Sequence, residues 1–250
     1  MLDWFGLQPE YLLFPVGFGL YLFDLSNLLY IDEALFCRSP RGVWTFRLPN
    51  GLPELGRRYL AMAQPFRPGT VVLRSSWPAK RQKEERPVTE AVLFPRYPLE
   101  RLRFVGVLCT GLLPQIFILM PMTYFMVGPV SFLICVFLVY LQILAMVVWI
   151  AFNRRRLQLP ISVLAMVAFE AIVCIPFAIN SYRKLSAKLY EERIDPLLIA
   201  DGLLSEEDQA KFRLELSTIL DRQLRVTEPG TSRHGALSGY LLRIGEAVKT

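Results

Sequence analysis

From Phe104 to Asn153 the chain lacks a single formal charge, a gap of fifty positions in a sequence that is 20% charged overall. A soluble domain must show water a polar face on most of its helices, so the gap excludes that class for this stretch. The hydrocarbon core of a bilayer is about 30 Å thick and a helix rises about 1.5 Å per residue, so one crossing takes roughly 20 apolar residues. The gap holds two crossings. With several further apolar segments in a chain of 250 residues, a large catalytic domain does not fit.

Metal and redox chemistry is equally poorly provided for. The four cysteines, Cys37, Cys109, Cys135 and Cys174, include no closely spaced pair and three lie in apolar segments, which argues against a disulfide framework or a zinc site. The one histidine, His234, sits among Gly, Ser and Thr where packing does not fix a ring, and is expected to be solvent-exposed. No basic region precedes the first apolar stretch, which follows Asp3 and Glu10, and no small-residue cleavage site closes it; insertion rather than export is expected. No cofactor and no metal are expected.

What is present points to a polytopic α-helical membrane protein with three or four transmembrane helices, a small β-rich cytoplasmic insertion and a helical C-terminal tail. Residues 1–31 read as an N-terminal membrane helix, 32–103 as the basic insertion, 104–180 as a helical hairpin plus a last membrane helix, and 181–250 as a soluble tail. Charge supports the division. Residues 31–103 hold fourteen Lys and Arg against seven Asp and Glu, whereas 181–250 hold eleven of each. Basic loops close to span ends tend to stay in the cytoplasm, which marks Arg101 and Arg103 before the hairpin and Arg154, Arg155 and Arg156 after it as membrane-surface residues. No nucleic-acid motif accompanies the charge, so no nucleic-acid partner is expected.

Within the first segment, Tyr11 to Ile31, helical spacing puts Asp24, Asn27 and Ile31 on one face and Leu22, Leu25 and Leu29 on another. The insertion contains β-prone pieces at Val43 to Leu48 and Thr70 to Arg74, with a turn at Pro49-Asn50-Gly51. Lys80 to Arg86 is too charged for a core and reads as a solvated hairpin tip. The insertion's aromatic residues, Trp44, Phe46, Phe66, Trp77, Phe94 and Tyr97, serve equally well as a small core or as contacts at the headgroup level. The hairpin runs from Phe104 to Met126, turns at Val127-Gly128-Pro129 and returns from Val130 to Phe152; Pro114 and Pro121 are expected to kink its first helix, and Gly106 and Gly111 to admit a close neighbour. Ile161 to Ile179 reads as the last span, with a helix continuing to about Glu192.

In the tail, Ser205 with Asp208 resembles a capping box whose acid is one carbon short, and Glu206, Glu207 and Asp208 suit the positive end of a helix dipole. Phe212, Leu216, Ile219 and Leu220 form an apolar stripe at helical spacing that must pack on something, and is expected to be an interaction surface. Gly230 to Gly239 reads as a loop, followed by a short helix near 238–247. Over less than a tenth of the chain, Arg193 to Gln209, with Leu198, Ile199, Gly202, Leu203 and Leu204, is similar to the nucleotide-sensing N-terminal repeats of secretion ATPases. It departs from them at Asp195, where a glycine is expected, and at Gln209, where an apolar residue is expected.

Ionisable groups are costly in lipid unless they pair or face a cavity, so Asp24 and Glu170 are the residues most worth following. They read either as a proton or cation site between the first and last spans or as a helix-packing hydrogen bond, with Asn27, Gln115, Thr123, Gln142 and Asn180 able to bond across helices. Asp32-Glu33 lies at the mouth of the first span, but neighbours on a helix point about 100° apart and make a poor acid pair. The expected function is therefore a non-catalytic interaction or scaffold component of a bacterial inner-membrane assembly, contacting the lipid bilayer and other membrane subunits or its own copies. The alternatives are an oligomeric transport or channel subunit using Asp24 and Glu170, and a membrane-surface enzyme acting on lipid headgroups. One topological tension accompanies this reading. If the first and last segments both span, Arg183, Lys184 and Lys188 fall on the side opposite the other basic flanks; a last segment that only enters the interface, or one that is re-entrant, removes the conflict.

Overall fold

A computed structural model of the chain describes residues 10–77, 99–157, 159–189 and 195–247; Lys80 to Arg86, Phe94 and Tyr97 lie outside them. The structure is mostly helical with a small β region, and two of its helices are long and apolar enough to cross a membrane. It separates into two compact units, neither continuous in sequence. The first comprises Met1–Ser26, Met62–Val71 and Arg96–Leu189, the second Asn27–Ala61, Val72–Pro95 and Tyr190–Thr250.

In the first unit the uncharged run folds as the expected hairpin. Helix α2 (Leu99–Pro114) passes into a π-helical turn at Gln115–Leu119, a single α turn, α3 (Met120–Met122), and a second π turn at Thr123–Val127. Proline explains the pattern: Pro114 and Pro121 lack the N–H that would bond four residues back, and their rings crowd the preceding carbonyl. The chain therefore widens to five-residue closures, with Met120 N donating to Gln115 O and Gly128 N donating to Thr123 O. Gly128, at φ +121°, makes the reversal, and α4 (Pro129–Asn153) returns. The two arms are antiparallel in close register. Phe132 meets Tyr124 near the turn (5.2 Å between ring centroids), Gln142 Nε2 donates to Leu108 O at 2.8 Å, and Trp149 meets Phe104 at 5.6 Å. Helix α1 (Glu10–Leu25) lies antiparallel to the first arm of the hairpin, with Phe14 on Phe125 and Phe18 on Phe117 in its two π turns.

Two expectations need correction here. The first segment is not helical to Ile31: α1 stops at Leu25 and residues Ser26–Leu29 form strand β1. Ser26 Oγ donates to Phe23 O at 2.6 Å, satisfying a carbonyl at the helix end, and β1 pairs with a strand instead. Asn27 is thus a strand residue and does not share a helical face with Asp24 and Ile31. Nor does the last segment run unbroken from Ile161 to Ile179. Helix α5 (Ile161–Val173) ends at Cys174, which is extended at φ −130°, and a short α6 (Ile175–Ala178) leads through a turn to α7 (Ser181–Leu189). Pro176 removes the donor that Ile172 O would otherwise receive, and Tyr140 Oη approaches that carbonyl at 3.5 Å. Because Tyr140 stands near the middle of α4, the break lies half-way along the hairpin. The chain then doubles back, with Cys109 Sγ 3.5 Å from Ala178 O and Tyr182 against Gly106. Helices α5 to α7 enter and leave at the same end of the unit.

The second unit is built on two three-stranded sheets, in orders β1-β5-β4 and β3-β2-β6, from β2 (Glu33–Arg38), β3 (Trp44–Arg47), β4 (Glu54–Leu55), β5 (Arg58–Met62) and β6 (Val71–Ser76). The β-prone piece at Val43 to Leu48 contains β3, and that at Thr70 to Arg74 covers the first four residues of β6. Strand β2 pairs antiparallel with β3, Phe36 opposite Phe46, and is the central strand of its sheet, which is why Ala34 to Cys37 are all buried. The Pro49-Asn50-Gly51 turn forms with Gly51 at φ +76° and Leu52 N bonded to Pro49 O.

Three helices complete this unit: α8 (Pro196–Leu203), α9 (Glu206–Val226) and α10 (Ser232–Ala247). Asp195 caps α8 by accepting from Leu197 N at 3.0 Å, with Pro196 in the first turn where its missing donor costs nothing. Ser205 caps α9 as its sequence suggests, accepting from Asp208 N at 3.3 Å, while its own hydroxyl donates to the Asp208 carboxylate at 2.8 Å. Replacing Ser205 with Ala is expected to remove about 1 kcal/mol at this terminus. The check is hydrogen exchange of the Asp208 amide, which should speed up about five-fold; an unchanged rate would show the cap to be idle. The expected loop from Gly230 to Gly239 is instead mostly helix, since α10 starts at Ser232 with Thr231 Oγ1 accepting from His234 N.

Candidate functional site

The acids singled out from the sequence meet in the first unit, and a lysine joins them. Asp24, on the last turn of α1, lies 2.6 Å from Lys184 Nζ on α7, and the same ammonium is hydrogen-bonded to Glu170 Oε2 on α5. Asn180, in the turn before α7, donates from Nδ2 to Asp24 Oδ2 at 3.0 Å and to Tyr21 O at 3.3 Å. The ring of Phe177 supplies a further face, 4.9 Å from the lysine nitrogen. Two carboxylates and an aromatic ring thus surround one ammonium, and the Asn180 amide braces one of the carboxylates.

Its neighbour Arg183 closes a second layer. This side chain is buried, donating to Asn180 Oδ1 at 2.7 Å, to Arg67 O at 2.7 Å and to Gln64 O. Tyr21, also buried, donates its hydroxyl to Pro65 O. Residues 64–67 are therefore tied to α1 and α7 through three loop carbonyls, two of them held by one guanidinium, whose donors form a rigid fork. Asn180 links the layers, bonding Asp24 through its nitrogen and Arg183 through its oxygen. Gly106 permits this closeness, since a Cβ there would stand 3.3 Å from the Tyr182 ring and 3.6 Å from Gly69 Cα.

Chemically the arrangement holds charge. The Asp24 and Glu170 side chains are 10% and 32% exposed, and Lys184 supplies the cation that either an imported ion or a proton would otherwise have to provide. Nothing about it resembles a nucleophile with its base. Asp32-Glu33 fares no better as an acid pair, because Glu33 is bonded to Arg74 and accepts from Tyr30 N at 2.7 Å.

The other residues marked from sequence distribute as follows. Arg103, Arg155 and Arg156 are exposed and Arg154 is half-buried, all at the Phe104–Trp149 end of the hairpin; Arg101 lies in α2, its side chain outside the described residues. The stripe Phe212, Leu216, Ile219 and Leu220 is buried within the second unit, with Phe212 5.5 Å from Phe36 and 5.2 Å from Phe46 between ring centroids. It forms the core of its own unit, so it is not a free interaction surface. Trp44 and Trp77 are likewise buried, whereas Phe66 is 72% exposed.

Lys184 and Arg183 are the participants that sequence reading leaves outside the last span, as topology signals. The signal for them is Pro176, whose break turns the chain back and brings position 184 beside position 170. A polar cluster in the second unit was also missed: Asp195 accepts from Tyr240 Oη and, at 3.0 Å, from Arg243. Burial and the adjacent carboxylate hold the Tyr240 phenol well above its ordinary pKa, so it serves as a donor throughout the neutral range. Compared with family models, curated proteins and solved structures, the chain matches none.

Proposed function

We propose that this chain is a membrane-embedded, non-catalytic interaction or scaffold component of a larger assembly in the bacterial inner membrane. The observation carrying the reading is that the two long helices bury only 33% and 28% of their most apolar windows inside the chain. A core helix of a soluble protein would bury most of its surface. On α4 the exposed residues recur at Phe137, Leu141, Leu144 and Val148, the three- and four-residue spacing of a single face that can meet lipid or another helix.

In a bilayer this polytopic arrangement has the hairpin spanning, α1 as a further crossing and α5 to α6 re-entrant, since irregular backbone such as Cys174 is tolerated at depth only against protein or water. Residues 32–103 and the tail then share the cytoplasmic side with the arginines, and the tension over Arg183, Lys184 and Lys188 disappears. A cytoplasm-only fluorescent reporter fused at Thr250 should therefore be bright; a dark but stably inserted fusion would overturn this topology.

The interaction role is tested by placing a photo-crosslinking residue at Leu141, with the buried Ile143 as control. A discrete protein adduct from Leu141 in native membranes is the expected result. If every position on the α4 face labelled lipid alone, the scaffold reading would fail while membrane residence stood. The rival transport reading is weakened by Lys184, whose ammonium already stands between the two acids where a transported cation would have to sit.

A further inference from the structure

Among the described residues, the first unit carries more basic than acidic side chains. Its described side chains include eight Lys and Arg but two acids, Asp24 and Glu170, and both acids are held by Lys184. Among the described residues, Arg103, Arg154, Arg155 and Arg156 make no ion pair with a carboxylate. They come from opposite ends of the uncharged run and are gathered by the pairing of Phe104 with Trp149. The opposite end of the hairpin, around Gly128, has no charge at all.

Their depth can be reckoned from the helices. The candidate spans Leu102–Val127 and Pro129–Asn153 hold 26 and 25 residues, so each is about 38 Å long. That exceeds a hydrocarbon core of about 30 Å and falls just short of the roughly 40–45 Å that includes both headgroup layers. With the Gly128 turn among the headgroups of one leaflet, the arginines stand among the phosphates of the other. Phe152 and Phe66, 83% and 72% exposed, lie at the same end, where aromatic rings fit the interface. Every one of these basic positions is arginine, the side chain whose planar fork grips a phosphate through two donors.

We propose that Arg103, Arg154, Arg155 and Arg156 form a collar that binds the phosphodiester headgroups of anionic glycerophospholipids, so that the chain recruits such lipids around its hairpin. The proposal rests on the membrane reading above. An ordinary topology signal needs only positive charge, whereas this collar should distinguish arginine from lysine and anionic from zwitterionic lipid.

The experiment uses the full chain in nanodiscs containing phosphatidylcholine with about one third phosphatidylglycerol, and spin-labelled versions of each lipid. The expected result is a relative association constant for phosphatidylglycerol about five-fold or more above that of phosphatidylcholine, the scale of one arginine at a charged surface. It should approach equality in R154Q/R155Q/R156Q and be intermediate in R154K/R155K/R156K, with an unchanged elution profile in detergent showing that both variants fold. Equal association in wild-type protein that resists carbonate extraction would overturn the collar and leave the membrane reading intact; failure to insert would overturn both. Loss of the preference in millimolar inorganic phosphate would show a site for free phosphate rather than lipid, and preferential capture of a single-stranded oligonucleotide over lipid would show a nucleic-acid surface; either outcome overturns the proposal.

Discussion

Replacing Lys184 with Met should lower the stability of the detergent-solubilised protein by about 3 kcal/mol, the low end of what is lost when one partner of a buried ion pair is removed. The lower figure is appropriate because the Lys184 side chain is 20% exposed and Glu170 32%, so water screens part of the loss. The cost arises from the acids left behind: Asp24, 10% exposed, keeps only the Asn180 amide, and Glu170 loses its ammonium. Neutralising them should therefore restore much of the stability, and D24N/E170Q/K184M is expected to unfold closer to wild type than K184M does. Thermal unfolding of the three proteins in one detergent makes the comparison. K184M as stable as wild type would mean that the cluster holds nothing together, and a triple variant no better than K184M would point to lost packing over Phe177 instead.

The second large effect concerns the tail stripe. Phe212 is fully buried with Phe36 and Phe46 as ring neighbours, and truncation to Ala should cost about 3–5 kcal/mol through lost transfer energy and the cavity left behind. Leu214, 70% exposed on the same helix, is the control, and its truncation should fall within about 0.5 kcal/mol of wild type. Denaturant titration of each variant, with proteolysis to report on the second unit, separates two accounts of the stripe. A core residue loses the fold of its unit on truncation; a docking residue keeps the fold and loses only a partner. F212A with wild-type stability would return the stripe to the surface.

Sequence patterns were most legible where one physical demand dominates. Lack of charge and a Gly-Pro turn were enough to place the hairpin to within two residues at each end, and Ser205 with its acidic first turn marked a real cap. Legibility failed where tertiary pairing decides. Ser26 to Leu29 follow an apolar helix and continue its hydropathy, yet they pair with β5, whose position cannot be seen from the local sequence. Strand β2 was hidden for a related reason: a strand buried on both faces shows no alternation. The glycines at 235 and 239 suggested a loop, but Leu237, Tyr240 and Ile244 supply a buried face that outweighs their weak helix propensity. At the candidate site, Asp24 and Glu170 were visible because charge is conspicuous among apolar residues. Lys184 was not, because its role depends on the direction the chain takes after Pro176.

That change of direction bears on how the protein is made. Thirteen residues of α5 rise about 20 Å, short of the roughly 30 Å of a bilayer core, whereas each arm of the hairpin is long enough on its own. The carbonyl freed by Pro176 faces the Tyr140 hydroxyl on α4, so α5 to α7 fold back against a helix that precedes them in the chain. Lys184 reaches both acids only after that fold-back is complete. Within the first unit the ion cluster therefore cannot close until α7 has been made, and a nascent chain halted before position 184 carries both acids without their shared ammonium.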